Sequence, residues 1–349
     1  SFFLIFLLLW VIVHSKLISA LKMSVELRYR PRRLRDNETL RSMTLETSLS
    51  IKDLVLPIFI SDEISSPKEI ESMPGVFCWP VSQIVDQVEK WIISGIRAFA
   101  VFPKIDPAKK TETGDECLNP NSVVYEVARS IKSNFSQISL IGDLALDPYT
   151  SHGHDGVLDK DGRVDNDRTV EILAKASVLA ADAGYDVLAP SDMMDGRVGV
   201  IRSHLEKNGH IKTCIMSYAA KFCSSYYGPF RDAIGASNNM PIDKSGYQLS
   251  PNNFREATRE LELDFEEGAD ILMIKPAEPF LDVIHYARNH FTLPIAAYQV
   301  SGEYSRITAA GLNGWLDAEK CAIESLTSIK RAGADLILTY FADKVASSI

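Results

Sequence analysis

One unit recurs along the chain and constrains the fold more than any other feature. A small or acidic residue is followed by Gly, a variable pair and an apolar burst. It appears as Ser94-Gly95-Ile96-Arg97 before AFAVF, Ala183-Gly184-Tyr185-Asp186 before VLAP, Glu267-Gly268-Ala269-Asp270 before ILMIKP, and Ala332-Gly333-Ala334-Asp335 before LILTY. Each copy follows a stretch of helical periodicity. Gly suits a helix C-cap because it enters the left-handed conformation without a Cβ clash. A short, uninterrupted apolar run after the cap reads as a strand buried on both faces, as in a parallel sheet.

Eight such bursts occur, at 55–60, 97–102, 138–143, 186–190, 213–218, 270–274, 294–299 and 335–340. Helical stretches lie between them, for example 81–94, 121–134, 167–183, 251–267 and 317–332. Eight strand–helix units predict an α/β fold, a (β/α)8 TIM barrel, over 51–349. An open doubly wound sheet is the alternative. The Gly-rich phosphate turn such a sheet usually carries after its first strand is absent, since 57–66 reads PIFISDEISS.

Three segments break the regular pattern. Phe2 to Val13 is an unbroken apolar run. Twelve residues at about 1.5 Å rise fall well short of a hydrocarbon core of about 30 Å. Residues 1–22 read as a leader unconnected with the fold, and no membrane partner is expected for the mature protein. Residues 23–50 read as an N-terminal arm, with Arg28, Arg30, Arg32, Arg33, Arg35 and Arg41 crowded together. Residues 219–250 form a long, Gly-containing insertion, including the polar run 235–239, and read as a lid over the site.

Charge and cysteine usage exclude several classes. Lys and Arg total 37 against 46 Asp and Glu, a net charge of −9. That disfavours a nucleic-acid partner, which needs a basic footprint. The arginine arm therefore reads as a segment that pairs with acidic surface on a sister subunit. Cys78, Cys117, Cys214, Cys223 and Cys321 form no CxxC pair, which argues against a disulfide framework or a structural zinc site.

In a barrel of this kind, the active site lies at the C-terminal strand ends. Residues expected there include Asp143, Asp147, Ser191, Asp192, Tyr218, Lys221, Lys275, Gln299, Ser301 and Tyr340. Lys221 and Lys275 would lie on adjacent strand ends. Two ammonium groups in a water-poor pocket repel, and each then favours the neutral amine that can attack a carbonyl. The competing reading is that each lysine simply pairs with an aspartate at the barrel mouth. His152 and His154 lack a ready third zinc ligand, so a hydrogen-bonded turn is the simpler reading of 143–156.

From about Pro31 to Ala342 the chain resembles the porphobilinogen synthase (5-aminolevulinate dehydratase) family. The resemblance rests on RPRRLR (30–35), DPYTSHGHDG (147–156), MSYAAKF (216–222), YYGPFRDA (226–233), GADILMIKP (268–276), YQVSGEY (298–304) and RAGADLILTYFA (331–342). It implies condensation of two 5-aminolevulinate molecules to porphobilinogen with loss of two waters. It also implies a barrel with an extended N-terminal arm that assembles as a homo-octamer. Lys275 would form the Schiff base with the propionate-side substrate and Lys221 with the acetate-side one. Arg231 and Lys244 would grip one carboxylate, Ser301 and Tyr340 the other, with Asp143, Ser191 and Tyr218 lining the pocket.

Zinc-using members carry three cysteines where this chain has Ala145, Asp147 and Asp155. The resemblance is therefore to the magnesium-type branch: no zinc is expected, Mg²⁺ is, and Asp147 and Asp155 are its candidate carboxylate ligands at the lost cysteine positions. Glu260 matches an allosteric Mg²⁺ site of the family. A bacterial-type cytoplasmic address is expected, or a plastid one. Two other readings are a Schiff-base aldolase on the same barrel and a non-catalytic, membrane-tethered assembly protein.

Overall fold

The computed structural model describes residues 5–12, 27–234 and 243–349. Two compact units divide at Glu46 and Thr47. In the first, residues 5–12 form a helix with exposed apolar side chains. Among the described residues no helix is long and apolar enough to cross a membrane. The rest of the leader, residues 1–4 and 13–22, lies outside the described residues, as do 23–26 of the arm. A short 3-10 turn, Pro31–Arg35, and a helix, Glu38–Met43, follow. Asn37 caps the helix by accepting from the Leu40 N–H at 2.9 Å.

The second unit is a closed parallel barrel. Its strands are β1 (Leu54–Ser61), β2 (Ala98–Pro103), β3 (Ser139–Leu144), β4 (Val187–Pro190), β5 (Cys214–Lys221), β6 (Ile271–Lys275), β7 (Ile295–Gln299) and β8 (Leu336–Thr339). Each pairs in parallel with the next, and β8 returns to β1 through Leu54↔Ile337 and Val55↔Leu338. The eight apolar runs thus became the eight barrel strands, shifted by only a residue or two at most ends. A short pair, Lys68–Glu69 and Phe77–Pro80, extends the sheet at β1. Its alternation is too brief to stand out in sequence.

The outer helices are α1 (Val81–Ile93), α2 (Val123–Asn134), α3 (Asn166–Ala183), α4 (Arg197–Lys207), α5 (Phe254–Glu266), α6 (Leu281–His290), α7 (Ser301–Leu312) and α8 (Ala318–Ala332). The repeat glycines end helices as expected: Gly95, Gly184, Gly268 and Gly333 have φ of 104°, 102°, 96° and 127°. Strand residues are almost continuously buried, from Leu54 through Ile60 and again from Ile215 through Ala220. This is the pattern of strands covered by helices outside and packed side chains inside.

One polar contact pins the outer wall beneath the site. Arg197, on α4, donates from both terminal nitrogens to Asp264 of α5, at 2.6 and 2.9 Å, and to the Tyr218 carbonyl of β5 at 3.1 Å. Both side chains are 1–2% exposed. Removing one member leaves a buried, uncompensated charge, which costs about 3–5 kcal/mol. Arg197→Met should therefore lower the urea midpoint by an amount corresponding to that loss, with the m-value unchanged. A loss below about 1 kcal/mol would place this pair among dispensable surface bridges.

Candidate active site

Strands β5 and β6 end in register, with Lys221 paired opposite Lys275. The ladder slips between Ser217 and Ala220, so β5 runs on to reach this level. The Phe222 N–H then donates to the Lys275 carbonyl at 2.9 Å. Parallel neighbours in register point their side chains to the same face. Here that face is the barrel mouth, and both lysines are 6% exposed.

Their surroundings differ. Lys221 Nζ donates to Asp155 Oδ2 at 3.3 Å and to the Ser191 carbonyl. Lys275 Nζ instead lies over aromatic rings, 4.5 Å from the Tyr298 centroid, 5.0 Å from Tyr218, and 5.2 Å from both Tyr227 and Phe230. Ring faces attract a cation. Burial, and then the Lys221 charge, oppose it and bring Lys275 down to about 7, despite the pull of Asp143, Asp147 and Asp155. The pairing reading thus describes Lys221, while Lys275 meets the requirement for an amine nucleophile.

A second cation completes an acidic cluster. Lys244 Nζ donates to Asp155 Oδ1 at 2.7 Å and to Asp147 Oδ2 at 3.3 Å. Gln248 Nε2 adds a 3.3 Å bond to Asp155. Burial alone would raise Asp155, but Lys221 and Lys244 outweigh it and hold the carboxylate well below the usual range. Asp147 is raised by burial, against the pull of Lys244. Asp143 is pushed up to about 6 by burial and by Asp147, while Lys275, Lys221 and Ser191 favour its ionised form. The Tyr218 hydroxyl also interacts with Asp143. Asp143 is thus a carboxylate whose proton moves near neutral pH.

The hydroxyls expected to bind a carboxylate are close by but engaged. Ser301 Oγ donates to the Tyr226 carbonyl at 3.3 Å and accepts from the Phe230 N–H at 3.0 Å. The Tyr340 and Tyr298 hydroxyls share a 2.9 Å hydrogen bond. Arg231 is half-buried on the short helix Gly228–Ala233, close enough to Tyr227 to favour its phenolate. The base of the insertion packs on α7, where a Cβ at Gly302 would meet the Tyr226 carbonyl at 2.5 Å. Only glycine permits that approach. The polar run 235–239 lies outside the described residues.

Asp192 is buried and raised to about 6 by burial, and its Oδ1 accepts from the Met194 N–H at 2.8 Å. His152 and His154 form the hydrogen-bonded turn: His152 Nε2 meets the Glu112 carbonyl, and His154 Nδ1 meets the Tyr247 hydroxyl at 3.2 Å. Glu260 stands apart from the lysines, half-buried in a cleft of about 610 Å³ with Glu256, Asp195 and Asp243. Sequence reasoning missed the ring cage of Tyr227, Phe230 and Tyr298, and Gln248. Aromatics do concentrate in YYGPF and at the end of β7, but nothing local in the sequence places them over Lys275.

Taken together, the pocket gathers two buried lysines, a carboxyl group raised to about 6 at Asp143, and the cation of Lys244. Lys221→Met removes a neighbouring positive charge, so Lys275 should rise above 7. In the unaltered protein, borohydride trapping of a small keto acid at Lys275 should increase as pH passes through about 7. In the variant that rise should move to higher pH. An unmoved or more acidic midpoint would remove Lys221 as a cause.

Comparison with known proteins adds an independent line. The model of the Delta-aminolevulinic acid dehydratase family matches residues 28–348. The Delta-aminolevulinic acid dehydratase of Bradyrhizobium diazoefficiens is 47% identical, over 93% of this chain and 92% of its own length. The chloroplastic one of Hordeum vulgare is 50% identical, over 90% of this chain and 73% of its own length. Among solved structures, delta-aminolevulinic acid dehydratase (porphobilinogen synthase) from Toxoplasma gondii ME49, in complex with the reaction product porphobilinogen, superposes with a TM-score of 0.91. It is 41% identical and covers 93% of this chain and 92% of its own.

Proposed function

The chain belongs to the delta-aminolevulinic acid dehydratase family and is a lyase that makes porphobilinogen from two 5-aminolevulinate molecules, and from that premise we propose that Lys275 and Lys221 do the chemistry. The observation that carries the assignment is the register pairing of the two lysines, with Lys275 caged by rings and brought down to about 7. A neutral Lys275 amine adds to the ketone carbon of one substrate, and loss of water leaves an iminium. Lys221 leaves its contact with Asp155 and forms the second imine in the same way. An iminium is an electron sink. It acidifies the adjacent carbon, which attacks the imine carbon of the other substrate to form the C–C bond, and it activates the carbon that the amino group attacks to close the ring. Both lysine amines are then expelled by elimination, with loss of ring protons, which returns the free lysines. Two waters leave overall. Asp143, beside both lysines and poised at about 6, carries protons between these steps.

Orientation falls to the anion-binding groups. Lys244 exchanges its aspartates for the acetate-side carboxylate, joined by Arg231, whose planar fork suits a carboxylate. Ser301 and Tyr340 exchange their present partners for the propionate-side carboxylate. Lys244 and Arg231 both belong to the 219–250 insertion, which would act as a lid that excludes water. Lys275→Ala should abolish porphobilinogen formation. Borohydride with 5-aminolevulinate should leave a reduced adduct on Lys275 of the unaltered protein. Full turnover by the alanine variant would overturn the mechanism.

The residues at the position of the family's zinc cysteines do not fit zinc. Ala145 offers no ligand, and Asp147 and Asp155 are engaged by Lys244 and Lys221. No step of the reaction is routed through a metal there. The Glu260 cleft is different. Burial raises Glu260 there, and Asp264, Asp195 and Glu256 raise it further against the pull of Arg197, so added positive charge would relieve the crowding. Among the described residues no three ligating side chains converge to hold a bare ion. Mg²⁺, which keeps several waters, fits such a site through its hydration shell. Glu260, with Asp195 and Glu256, would hold it as an activator. A zinc-selective chelator should leave activity intact, whereas Mg²⁺ should stimulate the unaltered protein and not Glu260→Gln. Inhibition reversed only by zinc would contradict the first assignment, and equal Mg²⁺ stimulation of Glu260→Gln the second. The same reading makes the arginine-rich arm the contact through which a homo-octamer assembles.

A further inference from the structure

A buried carboxyl group outside this chemistry links two of its strand ends. Glu303 lies in the first turn of α7 and is 0% exposed. Its Oε2 accepts from the Val300 N–H at 2.6 Å and the Ala277 N–H at 3.4 Å. Its Oε1 accepts from the Glu278 N–H at 2.6 Å. Among the described residues it forms no ion pair. Burial raises it to about 8, against the pull of the N–H donors.

The bond to Val300 is an ordinary helix N-terminal cap, in which the third residue of a helix reaches back to the N-cap N–H. The bonds to Ala277 and Glu278 are not, because those residues follow a different strand. Ala277 is two residues beyond Lys275, and Val300 immediately precedes Ser301. A side chain kept in the core solely as a cap would need only one acceptor. An uncompensated buried carboxyl is otherwise costly, and an apolar residue would fill the space without that penalty.

We infer that Glu303 is a positioning residue that clamps the chain leaving β6 to the chain leaving β7, setting the distance between the amine of Lys275 and the hydroxyl of Ser301. One substrate molecule spans these two groups, with its ketone at the lysine and its carboxylate at the serine. The clamp thus sets the fit for that substrate alone. This inference rests on the assignment of Lys275 and Ser301 to the same substrate. Lys221 and Lys244 lie on β5 and the lid, outside the clamp.

The test compares adduct formation at the two lysines. Glu303→Gln retains the shape but presents an amide donor toward at least one of the three N–H groups. Borohydride trapping with 5-aminolevulinate, followed by peptide mass analysis, reports Lys275 and Lys221 separately. Misplacement on the ångström scale lowers reactivity by about 10- to 100-fold. Trapping at Lys275 should fall by that factor and KM should rise, while trapping at Lys221 stays within about twofold. Glu303→Asp serves if the glutamine variant does not fold, since its shorter side chain cannot reach both strand ends. Equal loss at both lysines, or no loss at either in a folded variant, overturns the clamp. If neither variant folds, amide exchange in the unaltered protein decides. Ala277, Glu278 and Val300 should exchange as slowly as β6, and loop-like exchange overturns the inference. Failure of the unaltered protein to trap substrate at Lys275 would instead overturn the lysine assignment itself.

Discussion

The barrel mouth depends on holding two amines side by side out of water. Strands β5 and β6 end in register, so Lys221 and Lys275 share a face and a pocket. In bulk water their repulsion would be small. Out of water the Lys221 charge joins desolvation in disfavouring the charged form of Lys275. The neighbouring residues divide the two lysines rather than treat them alike. Asp155 and the Ser191 carbonyl take Lys221, and tyrosines and a phenylalanine surround Lys275. Paired titratable groups in unequal environments are the usual way one site provides unequal roles near neutral pH.

The acidic segment 143–155 is organised by the same charge problem. Asp155 lies between Lys221 and Lys244, and Asp147 shares Lys244. A carboxylate held that strongly by two cations is a poor base and a poor metal ligand. It is well suited to neutralising lysines until substrate arrives. Asp143, by contrast, is raised to about 6 by burial and by Asp147. Carboxylates only a few residues apart in sequence thus differ in which direction their surroundings shift them.

Much of the fold was legible before any coordinates. The four repeat glycines end helices in the left-handed conformation, and the apolar runs are the barrel strands. The gathering of Lys221 and Lys275 at adjacent strand ends was legible too, since strand ends can be counted. Two features escaped. The Tyr227, Phe230 and Tyr298 cage is drawn from the lid and from β7, and no local pattern announces that they meet over Lys275. Glu303 reads as a helix cap, and its contacts with Ala277 and Glu278 depend on where β6 ends in space. The short Lys68–Glu69 and Phe77–Pro80 pair also gave no usable signal, because two to four residues cannot display a period.

Sequence alone determined the strand–helix alternation, the barrel class and the presence of two lysines on neighbouring strand ends. Each of these follows from local periodicity and the conformational limits of glycine. The relations between lysines were decided only by the tertiary structure: which one is ion-paired, which one sits among rings, and which carboxylate is lowered and which raised. Those depend on distances of a few ångströms between residues tens to more than a hundred positions apart. In a low-dielectric pocket such distances, and not residue identity, set the energy of a charge.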